Sequence, residues 1–192
     1  MARLHLIRHG ETDWNAQKRY QGSQDIPLNQ RGKLQALDVK KALADKTFAG
    51  VYSSPMLRAK ETAEIIAGGD HPIHFFDDLR EGSFGSLEGK TYSEVHEQFA
   101  SQIEKRKQLT YLEQLHFKII PDEEAWIEVV ERALPLLEEI AEKHLEEDVL
   151  IITHGGVIRT LIVYLTHCEN LPRIENGQVV SFAYEEKMLR LL

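Results

Sequence analysis

Cysteine is nearly absent. The one thiol, Cys168, leaves no intrachain disulfide to form, and a reducing, cytoplasmic setting is the simpler one. No Lys or Arg flanks it, and it reads as a small buried hydrophobe rather than a nucleophile. Long apolar runs are missing as well. Nothing approaches the about 20 apolar residues of a membrane span, so no membrane partner is expected. The apolar stretch after Met1 is too short for a signal peptide. Basic residues are outnumbered, 23 Lys and Arg against 31 Asp and Glu, for a formal net charge of -8. That balance argues against a nucleic-acid partner, which needs cations to neutralise phosphates. It leaves room for a small anionic substrate, because a few arginines make a positive pocket even in an acidic protein. Repeats, low-complexity tracts and Pro/Ser-rich linkers are also lacking, so one domain over residues 1–192 with a single sizeable core is expected. His71, His74, His96, His116, His144 and His167 show no metal-ligand spacing and read as structural or surface groups. Neither a metal nor a cofactor is expected.

Short β-prone apolar runs alternate with helical patterns. Residues 4–7, 50–53, 73–76 and 149–153 read as strands, and 179–184 with 188–192 as a closing hairpin turned by Glu185, Glu186 and Lys187. Buried strands separated by helices predict a three-layer α/β sandwich, a mainly parallel sheet with helices on both faces. Ser54 as cap and Pro55 in the first helical position predict a helix whose apolar face runs from Met56 to Ala67, stopped by Gly68 and Gly69. A longer amphipathic helix follows Asp122, with Pro135 expected to kink or divide it. The polar stretch from Glu88 to Lys118 is helix-prone but has no legible course. It is also where substrate specificity is expected to reside.

Strand ends carry the chemistry. Arg8, His9 and Gly10 follow the first strand, and His154, Gly155 and Gly156 follow the fourth; ligands in open α/β sheets bind at such carboxyl edges. The glycines permit close backbone approach. Arg58 falls in the first turn after the second strand, and Glu81 in a glycine-containing loop after the third. Four loops therefore bring two histidines, two arginines and a carboxyl to one rim. That inventory suits phosphoryl transfer through a covalent intermediate. A neutral imidazole attacks phosphorus, guanidinium forks match phosphate oxygens, and a carboxyl passes a proton to the leaving group and later activates water.

The run Leu6-Ile-Arg-His-Gly-Glu-Thr-Asp-Trp-Asn15 resembles the signature of the histidine phosphatase superfamily, in its phosphoglycerate mutase-like branch of small phosphatases. The match continues through Gln21-Gly22, Leu28-Asn29-Gln-Arg-Gly32, Ser53-Ser-Pro-Met-Leu-Arg58-Ala-Lys-Glu-Thr62, Leu79-Arg-Glu81, Gly85-Ser-Leu-Glu-Gly89 and Ile152-Thr-His154-Gly-Gly156, in the family's order. The resemblance implies that His9 accepts the phosphoryl group and Glu81 donates the proton. Arg8, Arg58 and His154 would line the phosphate pocket, Asn15 and Thr12 would add hydrogen bonds, and Gln21, Gly22 and Gly155 would meet the substrate. Glu88 is the carboxylate most easily mistaken for Glu81, while Glu11 and Asp13 read as solvated or helix-start residues.

The expected function is a metal-independent phosphomonoesterase acting on a small phosphorylated metabolite. One rival is a phosphoglycerate mutase, which must keep water from its phosphohistidine beneath a closed lid. The classical mutases of the family carry a longer insertion between the glutamate and the second histidine, and an extended C-terminal tail. Here Glu81 and His154 are close in sequence, and the chain ends at the presumed last strand, so hydrolysis is favoured. A second rival is a phospho-ligand-binding module without turnover, whose usual sign, loss of the histidine or glutamate, is absent. Sugar phosphates, phosphoglycerates, a nucleotide-loop precursor and phosphoprotein all stay open as substrates, and so does the choice between monomer and homodimer. The basic triplet Lys105-Arg106-Lys107 reads either as a receiver for a second anionic group or, in preference, as a solvated helix face.

Overall fold

The computed structural model describes residues 1–69, 71–168 and 172–192. Six strands form one sheet: β1 (Ala2–Arg8), β2 (Gly50–Ser53), β3 (Ile73–Phe75), β4 (Asp148–Thr153), β5 (Val179–Glu185) and β6 (Met188–Leu191). Their order is β3-β2-β4-β1-β5-β6. The first four run parallel, and the β5–β6 hairpin adds antiparallel to β1. The hairpin turns on Glu186 and Lys187, both with positive φ (51° and 62°), as a two-residue turn matched to strand twist requires.

Side-chain alternation along the strands explains the layers. Leu4, Leu6, Val149 and Ile151 point to one face, where they pack on Val129, Ala133, Leu137 and Ile140 of α7 (Trp126–Lys143) and on Ile158 and Leu161 of α8 (Gly155–Thr166). Ile7, Leu150, Ile152 and Val51 point to the other, onto Val39 of α2 (Gln30–Ala42) and Ala59, Ala63 and Ile66 of α3 (Leu57–Ala67). The central strands are apolar on both faces because both faces are covered.

Three local expectations need correction. Helix α3 begins at Leu57, with Met56 in the capping position and no side-chain cap. Ser54 does not cap it, because its hydroxyl turns toward His154 instead, and Pro55 precedes the helix. Gly68, with φ 64°, does end α3. Helix α7 runs undivided through Pro135, which is exposed, so the missing hydrogen bond falls on the solvent side where water can replace it. The third strand stops at Phe75, one residue earlier than its apolar pattern suggests.

The polar stretch from Glu88 onward resolves into α4 (Tyr92–Gln98), α5 (Ala100–Lys107) and α6 (Tyr111–His116). Thr91 with Glu94 and Thr110 with Glu113 form capping boxes that start α4 and α6. A satellite core of Leu87, Val95 and Ile120, packed on by Tyr20, Phe84 and Ile103, anchors the segment.

After β1 the chain is pressed onto the first turn of α2, where Gly10 meets Gly32 backbone to backbone. A Cβ on Gly32 would collide with the Glu11 backbone. Gly32→Ala is therefore expected to destabilise the fold by about 1–3 kcal/mol, as overpacking does, in urea denaturation. A loss under about 0.5 kcal/mol, ordinary for a surface substitution, would show that this contact yields freely.

Candidate active site

Strands β1 and β4 are parallel neighbours with Arg8 opposite Thr153, so their carboxyl ends deliver His9 and His154 side by side. The His9 N–H donates to the Thr153 carbonyl (3.0 Å), and the two imidazoles meet edge-on with centroids 5.1 Å apart. Both rings are buried. His9 Nδ1 lies 2.7 Å from the Gly10 carbonyl oxygen. A carbonyl only accepts, so Nδ1 carries the proton and Nε2 keeps its lone pair. Burial first, and then the charges of Arg58 and Arg8, hold the His9 pKa well below the usual histidine range. The ring is a neutral imidazole of fixed tautomer.

Burial and Arg58 likewise hold His154 well below its usual range. Its Nε2 is 2.8 Å from Ser54 Oγ, which also accepts the Met56 N–H (3.3 Å). The other ring nitrogen, Nδ1, is buried and without a hydrogen-bond partner among the described residues.

Arg58 is 1% exposed. Its Nη1 donates to the Gln24 carbonyl (2.8 Å) and its Nη2 to the Gly22 carbonyl (2.9 Å). Gly22 adopts φ 53°, and a Cβ there would strike the Glu88 carboxylate, so only glycine brings its carbonyl to this place without strain. Arg8 Nη1 donates to the Ile174 carbonyl (2.5 Å). Burial lowers both arginines, Arg58 to about 10, yet both stay charged at neutral pH. Their Nε atoms are buried and unpartnered among the described residues. Two guanidinia thus hold N–H groups with no acceptor among the described residues, a donor set that suits an oxyanion.

Glu81 enters on the loop after the 3₁₀ turn Asp77–Leu79. Its carboxylate accepts from the N–H groups of Gly156 (3.1 Å) and Gly82 (3.2 Å), which seats it at the N-terminus of α8. Arg8, His9, Arg58 and Glu81 open onto one cavity of ≈ 190 Å³, together with Asn15, Gln21, Gly22 and Gly155. Glu81 is the only carboxylate on that wall among the described residues. Glu88 stands outside it: burial alone would raise its pKa, but hydrogen bonds from Ser23, Gln24 and Phe84 outweigh this and lower it. It ties the 21–24 loop to the 84–88 turn. Glu11 pairs with Asn29 and Arg31.

Two expected pocket residues sit behind the wall. His154 does not face the cavity directly, and Thr12, fully buried, caps α1 (Asp13–Ala16) and donates to Gln21 Oε1 (2.8 Å). Thr12 thereby orients Gln21 rather than reaching a substrate. Other residues escaped the sequence reading. Asn176 donates to the His9 carbonyl (3.0 Å). Arg132, paired with Glu124 (2.8 Å), donates to the carbonyls of Asp78 (2.6 Å) and Glu81 (3.3 Å) and clamps the Glu81 loop. Arg159 and the aromatics Tyr20, Phe84, Tyr92 and Trp126 line the pocket. Only Arg159 had a signal, lying one helical turn after Gly155 and Gly156. No group of three His, Cys, Asp or Glu side chains gathers to hold a metal among the described residues.

A parallel sheet that ends in a neutral histidine, two guanidinia and a carboxyl defines an enzyme built for transfer of an anionic phosphoryl group. Residues 4–192 match the histidine phosphatase superfamily (branch 1), and the chain belongs to that family. It is 37% identical to phosphoglycerate mutase-like protein 4 of Arabidopsis thaliana, over 83% of this chain and 69% of that protein. It is 33% identical to a metal-independent phosphoserine phosphatase of the same plant, over 91% of this chain and 73% of that one. The structure of Bacillus stearothermophilus YhfR superposes with a TM-score of 0.86 at 33% identity, covering 100% of this chain and 95% of that one.

The buried neutral histidines make stability depend on pH. In the unfolded chain each titrates near about 6.5, whereas in the fold each resists protonation. Below that pH the unfolded state takes up protons that the folded state refuses, so stability is complete above about 6.5 and falls as pH drops. Each ring can contribute up to about 1.4 kcal/mol per pH unit in that window. His154→Gln should flatten the slope of unfolding free energy between about pH 6.5 and 5 by up to that amount. An unchanged slope would mean that His154 is protonated in the fold.

Proposed function

We propose that the chain is a metal-independent phosphomonoesterase that passes the phosphoryl group through His9 Nε2. The observation that carries this reading is the His9 Nδ1–H held on the Gly10 carbonyl, beside the buried Arg58 and the half-buried Arg8. It leaves Nε2 as a nucleophile that needs no prior deprotonation. In the first step Nε2 bonds to phosphorus while the ester oxygen leaves with a proton from Glu81. In the second, water attacks the phosphohistidine and gives a proton to Glu81, which restores both groups. The N–H groups of Arg8 and Arg58 hold the charge on the equatorial oxygens, the work a metal performs elsewhere, while His154 packs against His9 from behind the wall. Asn15 and Gln21 stand by as further donors on the wall. The partner is a small phosphorylated metabolite, and the single cysteine supports a cytoplasmic setting.

Hydrolysis is favoured over transfer between substrate positions because Tyr92, on the cavity wall, is 47% exposed, so water reaches the site from that side. A radiolabelled alkyl phosphate, run in a single turnover with excess glycerol as rival acceptor, is expected to yield labelled inorganic phosphate. Glu81→Gln should slow formation of the labelled protein from that ester by roughly 10²–10⁴-fold, and from p-nitrophenyl phosphate far less, since a good leaving group needs little protonation. Label passed chiefly to glycerol would indicate a transferase. Absence of both product and labelled protein would indicate a binding module, and equal losses for the two esters would remove Glu81 from the role of acid.

A further inference from the structure

The basic triplet on α5 does not behave as a solvated face. Lys105 and Lys107 are exposed, but Arg106 between them turns inward; its Nε is buried and has no hydrogen-bond partner among the described residues. It lines a second cavity of ≈ 380 Å³ with Arg159, Gln114 and Glu123. This cavity shares Tyr20, Phe84, Tyr92, Trp126 and Arg159 with the phosphate pocket, so the two adjoin across an aromatic wall. Arg106 lines only the far one.

The electrostatics of the far cavity are unbalanced. Burial, and then the charge of Arg159, push Arg106 down from its usual pKa. Arg159 lies over the Trp126 ring at 5.5 Å and, like Arg106, forms no ion pair among the described residues. Among the described residues Glu123 is the one carboxylate lining the cavity, and it already accepts the Ile119 N–H. Lys107 is tied to Glu104 (3.3 Å). Two guanidinia facing one carboxylate leave one positive charge, which matches a carboxylate better than a dianionic phosphate. Desolvating a cation without a partner is unfavourable unless a ligand supplies one.

We infer that the Arg106–Arg159 cavity is a second substrate subsite, which takes a carboxylate carried at the far end of a phosphomonoester whose flat or apolar middle lies along Tyr20, Phe84, Tyr92 and Trp126. This rests on the proposed phosphate pocket and adds the substrate class to it. A compact phosphoester fills only the first cavity. An extended aryl phosphate with a remote carboxylate fills both.

Calorimetry with stable phosphonates tests this without turnover. The pair is 2-naphthylphosphonate and 6-carboxy-2-naphthylphosphonate, which differ only by a carboxylate on the ring remote from phosphorus. The carboxylated compound should bind roughly ten-fold tighter or more, the range of a charge-assisted hydrogen bond. In Arg106→Gln that ratio should fall to near one, in Arg106→Lys it should be partly kept, and in the exposed neighbour Lys105→Gln it should persist. An equal affinity of the wild-type protein for both compounds would overturn the subsite, as would an advantage that survives Arg106→Gln. Competition of 2-naphthylphosphonate with inorganic phosphate, and turnover of 2-naphthyl phosphate, check the phosphate pocket and the hydrolysis separately. The subsite can therefore fail while those stand.

Discussion

Two guanidinium groups, Arg58 buried and Arg8 half-buried, with no carboxylate ion-pair partner among the described residues, set the terms for the rest of this site. Arg58 is held by the carbonyls of Gly22 and Gln24, and Arg8 by that of Ile174. Main-chain dipoles satisfy some of their Nη donors without cancelling their charge. An ion pair would have been easier to bury, but it would leave little field for an incoming phosphate. Burial first, and then the same field, disfavour a proton on His9 and His154, so both rings stay neutral.

Much of the surrounding structure serves to hold carbonyls in place. The loop that offers Gly22 and Gln24 is anchored by Glu88, which accepts from Ser23 N (2.8 Å), Gln24 Nε2 (2.8 Å) and Phe84 N (3.0 Å). Thr62 Oγ1 accepts the Gly10 N–H (3.1 Å) and donates to the Arg58 carbonyl (2.7 Å), so α3 fixes the peptide that in turn fixes the His9 tautomer. Arg132 and Glu124 hold the Glu81 loop from α7. Gly156 has room for no Cβ, because Glu81 and Trp126 occupy that space. The acid is thereby seated on the helix that follows the second histidine.

The central strands and the rim residues were legible because their signals are local. An apolar run that ends in Arg-His-Gly or in His-Gly-Gly states both the strand and what stands at its edge. The glutamate after the third strand follows from the same logic. What stayed illegible depends on distant partners. Ser54 resembles a cap until the His154 ring, one hundred residues on, engages its hydroxyl. Thr12 looks like a substrate ligand until Gln21 claims it. Arg106 looks solvated because its two lysine neighbours are, and only the fold, which places it on one cavity wall with Arg159, turns it inward. The course of the 88–118 segment was hidden for a similar reason. Its short helices are defined by capping boxes and by a small core shared with Tyr20 and Phe84, not by a long apolar stripe.

The account stands on His9 as the atom-bearing group in phosphoryl transfer. The direct measurement is to quench the enzyme during turnover of a phosphoester under alkaline conditions, digest it and locate the added phosphoryl group by mass spectrometry. The account predicts an acid-labile, alkali-stable phosphoryl group on His9, and its loss together with activity in His9→Ala while the protein still unfolds cooperatively. A phosphoryl group found on His154, Cys168, a serine or an aspartate would contradict it.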